Sequence, residues 1–289
     1  MSCVSTSDNL EALEDRAEDP ILQVSNLFDR GRSRANLGQI ELAQSDFRAA
    51  SELATRAHCQ YFLGRISNSA AWVHRELEDL EEARRRDEAA LELGRQHRDA
   101  FSRLHALLNL AAAHARSGNQ GGARAQVLLT DAEQLSETQE FGCNRHKLQL
   151  RVLIVKCEVL QCQTDLSAAT AVALEALALA TSKGARKYIA LAHWQLGQIH
   201  AKRGALAEST ASLRAALSAL RERPCPLLAW RVYAALGELN LELAKESARS
   251  DFTRAREVID AIASNLGAGE LKDTFLGSAR VERVHALTR

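Results

Sequence analysis

Nine histidines and six cysteines are the side chains of this 289-residue chain best suited to holding a metal. His193 and His200 stand seven apart, two helical turns, and so share one side of a helix. No Asp, Glu or Cys lies three or four residues along between them, and no HExxH occurs. Cys157 and Cys162, five apart, point in different directions, and Cys3, Cys59, Cys143 and Cys225 add no CxxC pair. Such scattered cysteines suit reduced thiols in a cytoplasmic protein rather than a disulfide framework. No GxSxG elbow is present, and Gly118-Asn119-Gln120-Gly121-Gly122 lacks the lysine with which a phosphate-binding loop meets its ligand. Neither catalysis nor a metal nor a cofactor is expected. The run 78–88 mixes both signs of charge. It reads as a solvated helix face laced by i,i+4 pairs, or as an acidic–basic docking patch.

The charge balance, 37 Lys+Arg against 37 Asp+Glu, lacks the basic excess of nucleic-acid-binding domains. The longest apolar stretch, 168–180, is broken by Thr170 and Glu175 and falls short of the ~20 residues that span a bilayer. The first residues show no basic segment followed by an apolar one, so no secretory signal is read there. Nucleic acid and membrane are therefore not expected as partners. Aromatics make up 4%, the prolines are Pro20, Pro224 and Pro226 alone, and Ala, Leu, Glu and Arg carry the chain. That is an all-α composition. No Gly-rich turn follows a Val/Ile-rich run, which excludes a dinucleotide-binding α/β fold, and an all-β fold is excluded with it.

Six segments share one frame. Gly31 is followed by Gly38, Ala43, Phe47 and Ala50, and Ala71 by Leu80, Ala83 and Ala90, with Asp87 where a large apolar residue belongs. Ala111 is followed by Gly118, Ala123 and Val127, and Cys157 by Leu166, Ala169, Ala173 and Ala176. Gly197 leads to Gly204, Leu206, Ser209, Leu213 and Ala216; Gly237 leads, one residue short, to Ala248, Phe252 and Ala255. The first positions step by 40, 40, 46, 40 and 40 residues, and the excess of six is expected around 137–145. Small residues let two antiparallel helices approach to ~8–10 Å, and the large residue of the second helix caps the small site of the first. Gly or polar residues turn the chain between them, as in Arg116-Ser117-Gly118-Asn119 and Lys202-Arg203-Gly204-Ala205. Each hairpin keeps a bare apolar face that only the next can cover, so the hairpins must stack into a superhelix with an open concave side.

The Leu-Gly pair in His193-Trp194-Gln195-Leu196-Gly197-Gln198-Ile199-His200, with Ala216, resembles the tetratricopeptide repeat, and Tyr233-Ala234-Ala235-Leu236-Gly237 repeats it. The resemblance covers roughly residues 20 to 262. A 40-residue step in place of that family's ~34 makes each helix about a turn longer. In this the chain is similar to arrays of large bacterial signalling proteins, as is its ending around 255–276. The fold expected is all-α, a right-handed α-solenoid of about six antiparallel helix hairpins with a C-terminal capping helix. The array would occupy 20–267, with hairpins near 20–59, 60–98, 99–139, 142–184, 185–223 and 226–267. A flexible or short helical lead-in at 1–19 precedes it. A capping helix at 268–289 presents Leu271, Phe275, Leu276, Val281 and Val284 on one side.

Projecting the first helices puts Phe28, Arg32, Asn36, Arg65, Asn68, Trp72 and Arg75 on the concave side. His105, Leu108 and Arg116 follow, then Arg151, Ile154 and Glu158, then Trp194, Gln198 and Lys202, and last Arg231, Glu238 and Glu242. Arg32, Arg65, Arg75 and Arg116 are opposed in this projection by Glu76 alone. Arginine among aromatics is the composition of interface hot spots, and guanidinium forks suit carboxylates. Two readings stand. Either this half of the groove takes an acidic or C-terminal peptide, or arginine is simply common here and the aromatics are packing residues. Phe28 and Arg32 fill two places of the Lys/Asn carboxylate clamp of chaperone-binding family members, which argues against that role. The function expected is a non-catalytic protein–protein interaction scaffold holding a partner peptide or domain in the groove. The alternative is a sensory or regulatory array of a bacterial signalling system that changes superhelix pitch on binding. The partner's identity and the oligomeric state stay open.

Overall fold

Three of the helices begin at an aspartate that caps them. Asp19 accepts from Ile21 N at 2.8 Å ahead of Pro20 at the first helical position, Asp79 from Glu82 N at 3.3 Å, and Asp165 from Ala168 N at 2.9 Å. The computed structural model describes residues 19–116, 121–139, 141–142, 145–244 and 246–288. Among these it shows helices and turns and no strand. The lead-in expected at 1–19 lies, Asp19 apart, outside the described residues, as does the turn at 117–120.

The first three pairs are α1 (Pro20–Asn36) with α2 (Ile40–Arg56), α3 (Tyr61–Glu76) with α4 (Leu80–Gln96), and α5 (Ala100–Arg116) with α6 (Gly122–Thr138). The next three are α7 (Arg145–Cys162) with α8 (Leu166–Ser182), α9 (Arg186–Lys202) with α10 (Leu206–Glu222), and α11 (Pro226–Glu242) with α12 (Ser247–Ser264). Two short helices, α13 (Glu270–Leu276) and α14 (Ala279–Leu287), stand where one capping helix is expected, because Gly277 and Ser278 break the segment. They bury Phe275, Val281 and Val284.

The seams are built as the frame requires. A Cβ at Gly31 would come within 2.7 Å of the Phe47 ring, one at Gly197 within 2.6 Å of Leu213, and one at Gly237 within 2.8 Å of Phe252. Ala50, Ala90, Ala176, Ala216 and Ala255 are fully buried along the same seams. The third pair departs from the expected register. Val127 is 51% exposed and Ala123 is exposed, whereas Ala125, Leu129 and Ala132 are buried. α6 begins six positions after α5 ends, where the second helix of the first, second, fourth and fifth hairpins begins four positions after the first. Two residues of the excess therefore fall there, and the frame resumes two positions later.

The turns inside the hairpins repeat a backbone device. Gly38, Glu78, Thr164, Gly204 and Ala244 have φ of +79°, +63°, +62°, +74° and +51°. A β-branched side chain is strained in this left-handed region by about 1 kcal/mol or more. Thr164→Gly is therefore expected to raise the melting temperature by ~2–4 °C in calorimetry, in proportion to about 1 kcal/mol over a chain of this size. An unchanged or lower midpoint would show the turn to be relaxed.

The row of hairpins does not stay open. One continuous apolar core joins Val24, Phe28 and Phe47 of the first hairpin and Phe62 and Val73 of the second to Leu227, Trp230 and Phe252 of the sixth and Phe275 of the tail. Glu41 N donates to Asn265 O at 3.3 Å, Lys187 Nζ to Asn36 Oδ1 at 2.7 Å, and Arg231 pairs with Glu76 at 2.9 Å. The open concave side expected from the sequence gives way to an enclosed centre, because the sixth hairpin turns apolar and charged side chains back onto the first two. No described helix is long and apolar enough to cross a membrane.

Candidate functional site

Spacings of three, four and seven residues put side chains on one face of a helix, and such faces look into the centre. Phe28, Arg32 and Asn36 enter from α1, Arg65, Asn68 and Trp72 from α3, and Phe101, His105 and Asn109 from α5. Arg151 enters from α7, Lys187 and Tyr188 from the first turn of α9. Together they line a cavity of about 120 Å³. Eight of the groove residues expected from the sequence are thereby brought together: Phe28, Arg32, Asn36, Arg65, Asn68, Trp72, His105 and Arg151.

The cations here are not alike. Arg65 holds Asp99 at 2.9 Å and lies 4.8 Å from the centre of the Phe101 ring. Burial alone would raise Asp99, but hydrogen bonds from Arg65 and Ser102 outweigh it and keep the carboxyl below its ordinary range. Arg32 meets the exposed Asp29 at 3.4 Å and lies 5.4 Å from the Phe28 ring centre. Arg151 donates one terminal nitrogen to Asn109 Oδ1, and its buried Nε has no partner. Lys187 donates to Asn36 and sits 4.3 Å from the Trp72 ring centre, with no carboxylate in salt-bridge reach among the described residues. Desolvation, helped by Arg151 and Arg32, pulls the Lys187 ammonium below the usual lysine range.

Desolvation, followed by the charges of Arg151, Arg32 and Arg65, holds His105 well below an ordinary imidazole. An unfolded histidine takes up a proton near pH 6.5 while the folded one does not, so stability from this group is complete above that pH and is lost as pH falls. Melts of wild type against His105→Gln should therefore diverge between pH 7 and 5, the wild type losing up to ~1.4 kcal/mol more per pH unit. Parallel curves would place the imidazole in contact with water.

The remaining expected groove residues lie elsewhere. Arg75 is buried, its guanidinium held by Asp87 at 3.0 Å and Asn109 at 3.0 Å, so it offers nothing to a partner. Arg116 pairs with Glu158 at 3.3 Å. The arginines are thus opposed by Asp29, Asp99, Asp87 and Glu158 rather than by Glu76 alone, and Glu76 itself belongs to Arg231. Of these acids Asp87 sits on a second helix and Asp99 in the turn before α5, out of reach of a projection of first helices. Asp29 lies beside Arg32 on α1, and Glu158 was projected onto the groove but not as a partner of Arg116. Trp194 lines a second cleft of about 540 Å³ between α9 and α11 with Gln198, Leu239, Leu241, Glu238 and Arg283. Lys202 is exposed and lines neither cavity. Lys187 and Tyr188 were not anticipated, although Lys187 stands seven residues before Trp194 and so shares its side of α9.

Cys157 is buried at its seam as the small contact residue, its Sγ 3.4 Å from Ala169 O, and desolvation pushes its pKa up to about 12. Among the described residues no three His, Cys, Asp or Glu side chains gather as a metal site would need.

No protein-family model matches the chain, and no curated protein matches it. Among solved structures it is similar to a signal transduction ATPase with numerous domains (STAND) protein with a tetratricopeptide repeat sensor from Pyrococcus horikoshii. The two share 14% identity at a TM-score of 0.47, over 99% of this chain and 47% of that one, so this chain spans about half of its length.

Proposed function

We propose that the chain is a non-catalytic recognition module of tetratricopeptide type. In this reading it is a right-handed superhelix whose repeats fill 20–267, with 268–289 closing its end, working in the reducing cytoplasm, where its free thiols stay reduced. It docks an acidic segment of a protein partner at the mouth of the central cavity. The observation that supports this most is the convergence of Arg32, Arg65, Arg151 and Lys187, from four hairpins, on one aromatic-walled space. Half the Arg32 side chain is exposed at that mouth, and a guanidinium fork there suits a carboxylate.

The regulatory reading is favoured by a different observation. The first two and last two hairpins are tied across the centre by Lys187 with Asn36 and Arg231 with Glu76, so binding at the cavity bears on contacts that hold the array closed. Affinity capture tests the docking surface, with wild type and Arg32→Glu as baits. A partner recovered by wild type and reduced at least about tenfold by the reversed charge supports it. Equal recovery moves the partner to another face.

A further inference from the structure

The geometry points to the interior of the central cavity as a binding site for a phosphate group carried by a small molecule. This rests on the reading above only in taking the cavity as the recognition site. The protein partner meets Arg32 at the mouth, and the phosphate lies deeper, between Arg151 and Lys187.

Of the four cations lining this space, Arg65 and Arg32 have carboxylates in Asp99 and Asp29. Arg151 and Lys187 have only neutral partners, Asn109, Asn36 and the Trp72 ring. Glu76, whose charge Lys187 also feels, is taken by Arg231 at 2.9 Å, and Asp87, which feels Arg151, is taken by Arg75 at 3.0 Å. A desolvated ammonium beside a guanidinium with a buried, unpartnered Nε, neither with a carboxylate in salt-bridge reach among the described residues, is a place where something else supplies the counter-charge. A doubly charged oxyanion supplies it. The free donors suit a tetrahedral anion better than a planar carboxylate. Arg151 Nε has no partner, Lys187 can turn its remaining protons, and the two arrive from different helices rather than as one fork. The space of about 120 Å³ is some four times the ~30 Å³ share of a liquid water molecule, room for a phosphate but not for a polypeptide segment. Its two donors come from the fourth and fifth hairpins, so a bound phosphate joins α7 to α9.

Calorimetric titration of the full chain with inorganic phosphate, against chloride at matched ionic strength, tests this. Saturable binding of one phosphate is expected, with the melting midpoint rising by about 5 °C at saturation. Lys187→Met and Arg151→Gln should each weaken binding at least about tenfold. Arg151→Gln should not lower the midpoint of the ligand-free protein, since it removes an unmatched charge, and Lys183→Met on the exposed turn should behave as wild type. Absence of saturable binding overturns the site, and so does succinate binding as tightly as phosphate. Phosphate binding lost while capture still depends on Arg32 removes the site and leaves the docking surface. The reverse pattern removes the docking surface and leaves the site.

Discussion

Asp87→Leu is expected to cost about 3–5 kcal/mol of stability, the loss that follows when one member of a buried ion pair is removed. Asp87 is fully buried where the repeat frame calls for a large apolar side chain. Its carboxylate accepts from Arg75 at 3.0 Å and from Asn109 at 2.6 Å. Desolvation pushes its pKa up to about 6 against the pull of Arg75 and Asn109, and desolvation also lowers Arg75. Both shifts say that taking the two charges out of water outweighs their attraction. Replacing both, as Arg75→Met with Asp87→Leu, should therefore return the protein to within about 2 kcal/mol of wild type, the remainder reflecting the Asn109 amide left without an acceptor. Denaturant titration of wild type, both singles and the double measures the coupling. Additive losses would mean that the pair acts as two separate surface charges. The carboxyl also has a sign of its own. The folded state holds its proton up to about pH 6 and the unfolded chain releases it near 3.8, so its contribution is present at low pH and is lost as pH rises through 6.

The second large effect lies at the first seam. Gly31→Leu drives a side chain into the Phe47 ring, 2.7 Å from where its Cβ must stand, and into Asp46 Cβ at 3.2 Å. Neither neighbour can retreat easily. Phe47 packs against Phe28 with ring centres 6.5 Å apart, and Asp46 is pinned by Arg30 at 2.6 Å and Arg34 at 2.7 Å. Overpacking of this kind costs about 3 kcal/mol, and here the α1–α2 pair also carries part of the core that reaches the sixth hairpin. Moving the bulk across the seam, as Gly31→Leu with Phe47→Ala, should recover more than half of the loss. Thermal melts showing the double variant worse than the single would contradict a seam held by one small and one large residue.

How far the sequence could be read follows from these same residues. Small and large positions at fixed spacing encode a local contact, so Gly31 with Phe47, Gly197 with Leu213 and Gly237 with Phe252 were legible without coordinates. Asp87 breaks the pattern because its partner is charged and comes from the helix before it, which a rule of small against large cannot express. Leu129 takes the place expected for Val127 because α6 starts two residues later after α5 than second helices do in the neighbouring hairpins, and the spacing between helices leaves little trace in the sequence. Eight of the twelve residues named at the candidate site could be projected from helical faces. Lys187 could not, because what brings it to the centre is a contact with Asn36, 151 residues away in the chain. Closure of the array is of the same kind: it depends on where the sixth hairpin arrives after every preceding turn has been added.

Closure is also what the candidate site depends on, since Lys187 meets Asn36 and Trp72 only where the ends come together. Spin labels at Glu41→Cys and Asn265→Cys, with Cys3, Cys143 and Cys162 replaced by serine, report on it directly, because the backbones of residues 41 and 265 lie 3.3 Å apart at the Glu41 N to Asn265 O hydrogen bond. The doubly labelled protein should show strong dipolar broadening that is absent from either singly labelled one. A spectrum equal to the sum of the two single-label spectra would describe an open rod, and with it the central cavity would be lost.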